Sequence, residues 1–272
     1  MSAPPKIAVL VGVSDYKAGA ALHLDGPAGA DVPLMEQALV DRHGFAVVKL
    51  TNQAATRERA KSVLLASRAM AAGGMLVLYW SGHGTWAEDD RLRHRQAVLP
   101  YDYDTENDFD SFNLVFGRDL REWLTAPDVY SVAILDTCYA GGAVRALRGG
   151  PLARALPVGV PKTLPAPHRR SQHPEHDLVP RQIGLTLAAP GVEVLCLGAC
   201  QDDQTSMDTS QGGAFTLALL AALATPGDNS WAGLIGETAE QLDKNGWEQD
   251  PALTGPARRF RDRAFVLKGH AL

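Results

Sequence analysis

The sequence predicts an α/β fold in which a mostly parallel central sheet is flanked by helices on both faces. Over the first 80 residues, short apolar runs alternate with amphipathic segments of helical period, which is typical of right-handed β-α-β units. The runs at 75–80 and 132–135 are apolar throughout, as expected of strands buried on both faces. With 272 residues and 46% hydrophobic content, the chain can bury a full core.

Charge and cysteine content exclude several classes of protein. The net charge is −5, from 26 basic and 31 acidic residues, so neither nucleic acid nor an anionic membrane is an expected partner. No apolar run approaches the length of a membrane span, and residues 1–6 lack a signal region, which predicts a cytoplasmic location. Three cysteines cannot form a disulfide framework, and we expect Cys196 and Cys200 to be buried thiols on one strand.

The elements of the first half follow from apolar periodicity and from helix boundary signals. A helix over residues 30–42 is followed by Gly44, a residue suited to the C-terminal stop of a helix. Thr56 is a favourable N-cap for a second helix, which extends to about residue 72. Strands are predicted at residues 7–13, 45–50 and 75–80.

The second half is less regular. Residues 85–119 are acidic and rich in loops, and residues 251–263 are expected to be irregular. The predicted helices span residues 117–124, 214–224 and 231–244, the last with Ser230 as its N-cap. The predicted strands are a short one at 96–100, the one that leads into Cys138, and those at 192–198 and 264–267.

The composition changes abruptly after residue 144. Residues 145–184 contain seven prolines, seven basic residues and three histidines, but only two acidic residues. No helical or strand period is present, so this segment is predicted to be a mobile basic loop rather than a folded element. Its histidines, at 168, 173 and 176, are expected to be solvated, since no cysteine lies near them to complete a metal site.

Two side chains with catalytic potential follow the two most apolar strands. His83, flanked by Gly82 and Gly84, follows the strand at 75–80, and Cys138 follows the strand that begins at residue 132. Parallel neighbouring strands end at the same edge of a sheet, where ligands bind. If the strands are neighbours, an imidazole and a thiol meet there as base and nucleophile. No side chain is evident as the third member of a catalytic triad.

The spacing and flanking residues of this pair resemble those of the caspase-like cysteine peptidases. The histidine precedes the cysteine by 138 − 83 = 55 residues, and caspases show a spacing of about 50. The likeness is closer to metacaspases and bacterial orthocaspases than to animal caspases. Further segments resemble the family at Val9 to Tyr16, Ala30-Asp31, His43-Gly44-Phe45, Leu50, Leu99-Pro100-Tyr101-Asp102 and Gly213-Ala214-Phe215-Thr216.

The resemblance implies a caspase-like fold and a cysteine endopeptidase with a Cys138–His83 dyad. The backbone N–H groups of Cys138 and Gly84 would form the oxyanion hole. One peptidase domain is expected over residues 1–272. Its parts would be a large-subunit-like part at 1–144, a processing or activation loop at 145–184 and a small-subunit-like part at 185–272.

The resemblance also implies a primary pocket formed by Asp31, Ser81 and Asp136. Caspases, which cut after Asp, have a neutral Gln where this chain has Asp136. Acidic residues in the pocket favour cleavage after Arg, with Lys second. The metacaspase pocket cysteine would fall near Ala28, which departs from the family pattern. Asp136 could instead cap a turn, Asp31 could favour the first turn of its helix, and Ser81 could form a local turn.

No cofactor is expected, although many metacaspases are activated by calcium. The acidic residues 102–110 could supply oxygen ligands, but they alternate without a bidentate Glu at loop spacing. The family's calcium site also uses a carboxylate after the catalytic cysteine. Here Val144, Arg145 and Arg148 occupy that neighbourhood. Calcium-dependent activity therefore stays as the alternative to activity without a cofactor.

The basic loop is predicted to restrain a zymogen until it is cut, by the protein itself or by a partner protease. Loops of this kind are typical sites of proteolytic nicking. In bacteria, stand-alone relatives often belong to stress, cell-death or anti-phage systems. The candidate cut sites are Arg145, Arg148, Arg154, Lys162, Arg169, Arg170 and Arg181.

Two other functions remain open from the sequence. The chain could be a catalytically silent caspase-like scaffold or regulator, although the intact His83 and Cys138 argue against this. It could also be a relative with Asn or Asp specificity, which the acidic pocket positions disfavour.

Overall fold

The computed structural model describes residues 3–88, 94–103, 113–137, 160–161, 194–201, 204, 206–209 and 211–267. Twelve strands are assigned within these ranges. They are β1 (Lys6–Gly12), β2 (Ala46–Thr51), β3 (Met75–Ser81), β4 (Gly84–Glu88), β5 (His94–Val98), β6 (Val115–Phe116), β7 (Tyr130–Asp136), β8 (Val160–Pro161), β9 (Leu195–Gly198), β10 (Met207–Thr209), β11 (Gly212–Gly213) and β12 (Ala252–Thr254).

The helices form around the predicted sequence signals. Residues 27–42 are one continuous helical segment, with α geometry over α1 (Val32–Gln37) between two wider π turns. Thr56 and Ser230 act as N-caps, since their hydroxyls accept hydrogen bonds from the Arg59 and Gly233 N–H groups. The remaining helices are α2 (Arg57–Met70), α3 (Gly117–Leu124), α4 (Ala214–Ala224) and α5 (Trp231–Lys244).

The central sheet has six strands in the order β12-β9-β7-β3-β1-β2. All are parallel except β12, which pairs antiparallel with β9 at one edge. The strands before His83 and Cys138 are therefore neighbours. In the register, Gly12 pairs with Ser81, and Ser81 pairs with Asp136, so these three residues mark one edge of the sheet.

Helices cover both faces of the sheet, and this confirms the predicted α/β architecture. On one face, α2 and α3 pack through residues such as Leu64 and Trp123. On the other face, α1, α4 and α5 contribute Met35, Phe215 and Trp231. The strands between these layers are buried, which explains why β3 is apolar from residue 75 to residue 80.

Two small antiparallel sheets lie outside the central one. The first has the order β4-β5-β6, and the second has the order β11-β10-β8. The second sheet joins distant parts of the chain, because Val160 pairs with Asp208 and Asp208 pairs with Gly213. The prediction that residues 145–184 contain no regular element is therefore wrong at Val160 and Pro161. The rest of that segment lies outside the described residues.

Several sequence predictions at the edges of the fold are wrong. Residues 252–254 form edge strand β12 inside the stretch expected to be irregular. Residues 264–265 form a turn and residues 266–267 have no regular structure, so the predicted strand is absent here; Phe265 has a φ of 55°, which a strand does not allow. Cys196 and Cys200 are both buried, but Cys200 lies in the bend after β9 and does not share its strand.

Among the described residues, no helix is both long and apolar enough to cross a membrane.

Substitution of Leu64 by Ala should destabilise the fold by about 2–5 kcal/mol, because the side chain is fully buried against the sheet. Met70 lies on the same helix but is 65% exposed, so Met70→Ala should change stability by no more than about 0.5 kcal/mol. Denaturant unfolding of both variants measures the two effects. Equal losses would contradict the assignment of the buried face of α2.

Candidate active site

The candidate site lies at the carboxyl edge of the central sheet, where β3 and β7 end. Ser81 and Asp136 are paired across these strands, and the Gly82 N–H donates a hydrogen bond to the Asp136 carbonyl at 3.3 Å. His83 follows immediately and is 4% exposed. Cys138, two residues beyond β7, lies outside the described residues.

A backbone carbonyl holds the ring of His83. The Nε2 atom lies 3.0 Å from the Leu22 carbonyl oxygen, which can only accept, so the proton of the neutral ring is on Nε2. The lone pair is then on Nδ1, which is the basic nitrogen of the neutral ring. Sequence reasoning missed this contact, since any residue can supply a carbonyl and no side chain marks it.

Tyr16 fixes the backbone of the same histidine. Its hydroxyl accepts a hydrogen bond from the His83 N–H at 2.8 Å, and the two rings are 5.2 Å apart between centroids. Burial raises the pKa of Tyr16, so the hydroxyl stays neutral. A Cβ atom at position 82 would lie 2.7 Å from this hydroxyl, which explains why glycine precedes the histidine.

Asp31 and Ser81, both predicted pocket residues, are in direct contact. The Ser81 hydroxyl donates to Asp31 Oδ2 at 2.6 Å, and the Gly213 N–H donates to Oδ1 at 2.7 Å. Both side chains are fully buried. Asp31 is therefore more than a favourable first-turn residue of its helix, because it joins that helix to β3 and to β11.

Asp136, the third predicted pocket residue, is held by the C-terminal part of the chain. Oδ1 accepts a hydrogen bond from the Ser206 hydroxyl at 2.7 Å. Oδ2 accepts from the Thr216 hydroxyl at 2.6 Å and from the Thr216 N–H at 3.2 Å. Three donors thus fix the orientation of a carboxylate that is fully buried.

A third buried carboxylate, Asp208, was not predicted from the sequence. Its Oδ2 atom accepts a hydrogen bond from the Gly26 N–H at 3.0 Å, and its neighbour across the small sheet is Gly213. Asp31, Asp136 and Asp208 therefore all join residues 26–136 to residues 206–216. We call these three residues the bridging carboxylates.

The structure thus brings together the described part of the predicted site. Ser81 contacts Asp31, Asp136 ends the neighbouring strand, and His83 lies just beyond them. Gly84 is the first residue of β4 and pairs with Val98. Cys138 and the candidate cut sites Arg145, Arg148, Arg154, Lys162, Arg169, Arg170 and Arg181 lie outside the described residues, so the dyad and the oxyanion hole stay predictions.

The acidic stretch considered for calcium is only partly described. Asp102 accepts hydrogen bonds from the Arg57 N–H at 2.9 Å and from the Asn113 amide at 3.1 Å, and it thereby holds the start of α2. Residues 104–112 lie outside the described residues. In the part of the chain that the structure describes, no group of three or more His, Cys, Asp or Glu side chains is arranged to hold a metal ion.

The parallel sheet, with a histidine and acidic residues at its carboxyl edge, defines a caspase-like α/β protein. A family model described as the caspase domain matches residues 5–259, and the chain belongs to this family. This confirms the resemblance inferred from the motifs around His83 and Cys138.

Curated relatives include metacaspases at low identity. Metacaspase-2 of Trypanosoma brucei brucei is 25% identical over 212 residues, which cover 72% of this chain and 54% of that protein. Metacaspase-1 of Arabidopsis thaliana is 27% identical over 146 residues, covering 51% of this chain and 34% of the relative. The chain spans about half the length of the trypanosomal relatives. It spans 34% of the length of the plant relative.

Solved structures agree on the fold. The crystal structure of a Geobacter sulfurreducens protein superposes with a TM-score of 0.68 at 20% identity, covering 97% of this chain and 99% of that one. Caspase-1 from Spodoptera frugiperda superposes with a TM-score of 0.56 at 13% identity, covering 93% and 86%. At these identities the likeness establishes the architecture alone.

Replacing Gly212 by Ala should distort the site, since the added Cβ would lie 2.7 Å from Asp31 Oδ1 and the residue has a φ of 128°. We expect a loss of about 1–3 kcal/mol of stability. Gly236 lies on α5 with open space around it, so Gly236→Ala should instead stabilise by about 0.4–1 kcal/mol. Thermal unfolding distinguishes the expected destabilisation of Gly212→Ala from the expected stabilisation of Gly236→Ala. A stabilised Gly212→Ala variant would show that the Asp31 carboxylate has room for the added Cβ atom.

Proposed function

We propose that the protein is a cysteine endopeptidase that cuts peptide bonds after Arg, with Lys second. The observation that carries the specificity is the pair of buried carboxylates, Asp31 and Asp136, at the carboxyl edge of the sheet beside His83. Membership of the caspase domain family supports the peptidase class and protein substrates. The metacaspase relatives support the same class.

The chemistry proceeds by acyl transfer. His83 Nδ1 takes the proton of the Cys138 thiol, and the thiolate attacks the scissile carbonyl carbon. The Cys138 and Gly84 N–H groups stabilise the tetrahedral oxyanion. His83 then gives its proton to the leaving amine as the C–N bond breaks. Water, deprotonated by the same imidazole, hydrolyses the thioester and restores the thiol.

The Leu22 carbonyl supports this cycle from the other side of the ring. Its contact with Nε2, at 3.0 Å, persists whether the imidazole is neutral or protonated, because Nε2 carries a proton in both states. The positive imidazolium strengthens that hydrogen bond. The carbonyl thus orients Nδ1 and stabilises the charged intermediate without exchanging a proton itself.

The proposed specificity follows from charge and geometry. Hydroxyl and amide donors orient Asp31 and Asp136 without changing the sign of their charge. A guanidinium presents its donors in a planar fork that suits carboxylates, whereas an ammonium is a point charge, which places Lys second. A substrate Asp would be repelled by the same groups.

We further propose that the segment 145–184 restrains a zymogen. Its described residues, Val160 and Pro161, pair with Asp208 and Met207 of β10, and Asp208 is one of the bridging carboxylates. Cutting on either side of β8 would free this strand to move relative to the pocket. A role in a bacterial stress, cell-death or anti-phage system would suit a protease that is kept silent until it is processed.

Peptide reporters that differ only in the residue before the cut test the activity. The wild type should cleave Arg reporters fastest and Lys reporters second, while citrulline and Asp reporters should be poor substrates. Asp136→Asn should slow cleavage after Arg by about ten- to a hundredfold, the effect expected for losing a charged hydrogen bond. Cys138→Ala and His83→Ala should fall to background. Rates should be the same with and without a calcium chelator, and a loss of activity with the chelator would favour the calcium-dependent alternative.

Faster cleavage after Asp than after Arg would exclude the proposed specificity. Background rates in the wild type on every reporter, with no labelling of Cys138 by an electrophilic Arg peptide, would favour the silent scaffold. Preferred cleavage after Asn would place the chain with Asn-specific relatives.

Processing is tested by mass spectrometry of the intact chain. The wild type should acquire cuts after basic residues of 145–184, and Cys138→Ala should stay whole unless wild-type enzyme or a partner protease is added. A variant with Gln at all seven basic positions of this segment should remain uncut and much less active. Full activity of that variant would rule out the zymogen.

A further inference from the structure

A buried tyrosine connects to the carboxylate of the proposed pocket. Tyr79 lies on β3, two residues before Ser81 and therefore on the same face of the strand. Its side chain is fully buried, and its hydroxyl oxygen lies 2.5 Å from Thr216 Oγ1. Thr216 in turn contacts Asp136 Oδ2 at 2.6 Å.

The direction of these hydrogen bonds is fixed by the number of protons. The Thr216 hydroxyl has a single proton, and the Asp136 carboxylate can only accept. Thr216 therefore donates to Asp136, and Tyr79 must donate to Thr216. The result is a directed chain from Tyr79 through Thr216 to Asp136, which we call the hydroxyl relay. Each donor in such a chain polarises the next.

Tyr79 does not titrate at ordinary pH. Burial raises the pKa of Tyr79 well above its usual value, and the negative charges of Asp31 and Asp136 raise it further. The tyrosine hydroxyl thus keeps its proton and remains a donor. The contacts of Thr216 with both groups, at 2.5 Å and 2.6 Å, place this hydroxyl one side chain away from Asp136.

We propose that Tyr79 is a positioning residue for primary specificity, which holds Asp136 through the hydroxyl relay in the orientation that binds a basic side chain. This inference rests on the proposed function. Without the tyrosine proton, the Thr216 hydroxyl loses the partner that fixes its rotation, and Asp136 loses a firmly directed donor. A guanidinium bound by two parallel hydrogen bonds is sensitive to such a loss of orientation.

Binding to the inactive Cys138→Ala chain isolates this effect from the chemistry. The chain is first cut within residues 145–184 by added wild-type enzyme and then purified, so that the proposed restraint is released. Calorimetry would compare a peptide containing one Arg with the same peptide containing citrulline, which has a similar shape but no charge. In this background, Tyr79→Phe should weaken binding of the Arg peptide about tenfold, the size expected for one hydrogen bond to a charged group. Binding of the citrulline peptide should change less than about twofold.

Tyr130→Phe is the matched control. Tyr130 lies at the opposite end of β7, and its hydroxyl donates to Asp262 at 3.2 Å and accepts from the Trp231 indole at 3.1 Å. Its loss should leave binding of both peptides unchanged. Thermal unfolding of both variants checks that each remains folded.

Thr216 supplies an independent test of the relay. Thr216→Val removes the central hydroxyl and should cause the same selective loss as Tyr79→Phe, while Thr216→Ser should retain binding. The double variant should be no worse than Thr216→Val alone, because both changes break one chain. In the cleaving enzyme, Tyr79→Phe should raise KM for Arg reporters with little change in kcat.

The outcomes separate the inference from the function on which it rests. If the Cys138→Ala chain binds the Arg and citrulline peptides equally, the proposed basic specificity fails. If it prefers the Arg peptide and Tyr79→Phe keeps that preference, the relay is not a specificity device. An equal loss with both peptides would also overturn the inference, because it would show a purely structural role.

Discussion

The site depends on the burial of three carboxylates between two parts of the chain. Buried carboxylates are costly unless donors surround them. Among the described residues, Ser206 and Thr216 donate to Asp136, Gly213 and Ser81 donate to Asp31, and Gly26 donates to Asp208. The carboxyl edge of the sheet therefore acquires its arrangement only when residues 206–216 dock on it. The same hydrogen bonds that satisfy the charges also fix their positions, so stability and the geometry of the proposed pocket have a common source.

Much of the fold could be predicted because its signals are local. The apolar runs gave the buried strands β3 and β7, Thr56 and Ser230 marked the starts of two helices, and α3 was predicted at its observed bounds. The proposed pocket residues Asp31, Ser81 and Asp136 were predicted from the resemblance to metacaspases, whose motifs this chain matches at these positions. The predictions of the elements at the edges of the fold were wrong because these elements have no clear local signal. Strands of two or three residues have no period, and Phe265 lies buried in a turn although residues 264–267 form an apolar run that resembles a strand.

The partners of the site residues could not be predicted, because they are distant in sequence or lack a side-chain signal. Ser206 and Thr216 reach Asp136 across 70 and 80 residues, and the Gly213 N–H reaches Asp31 across 182. Serine and threonine are common on any surface, so only the fold selects these two. The contact of the Leu22 carbonyl with His83 is harder still to predict from the sequence, because it depends on the path of the backbone and not on the leucine side chain.

These long-range contacts also connect the histidine to the pocket. Leu22 belongs to the segment between β1 and the helix at 27–42, and that segment is held at Gly26 by Asp208. Asp208 lies on β10, next to the strand β11 whose Gly213 N–H orients Asp31. A displacement of residues 206–213 would therefore disturb the acceptor of His83 and the pocket carboxylates together. If the proposed function holds, such a displacement would change the position of His83 and the proposed pocket in one step, which is the behaviour that the proposed zymogen requires.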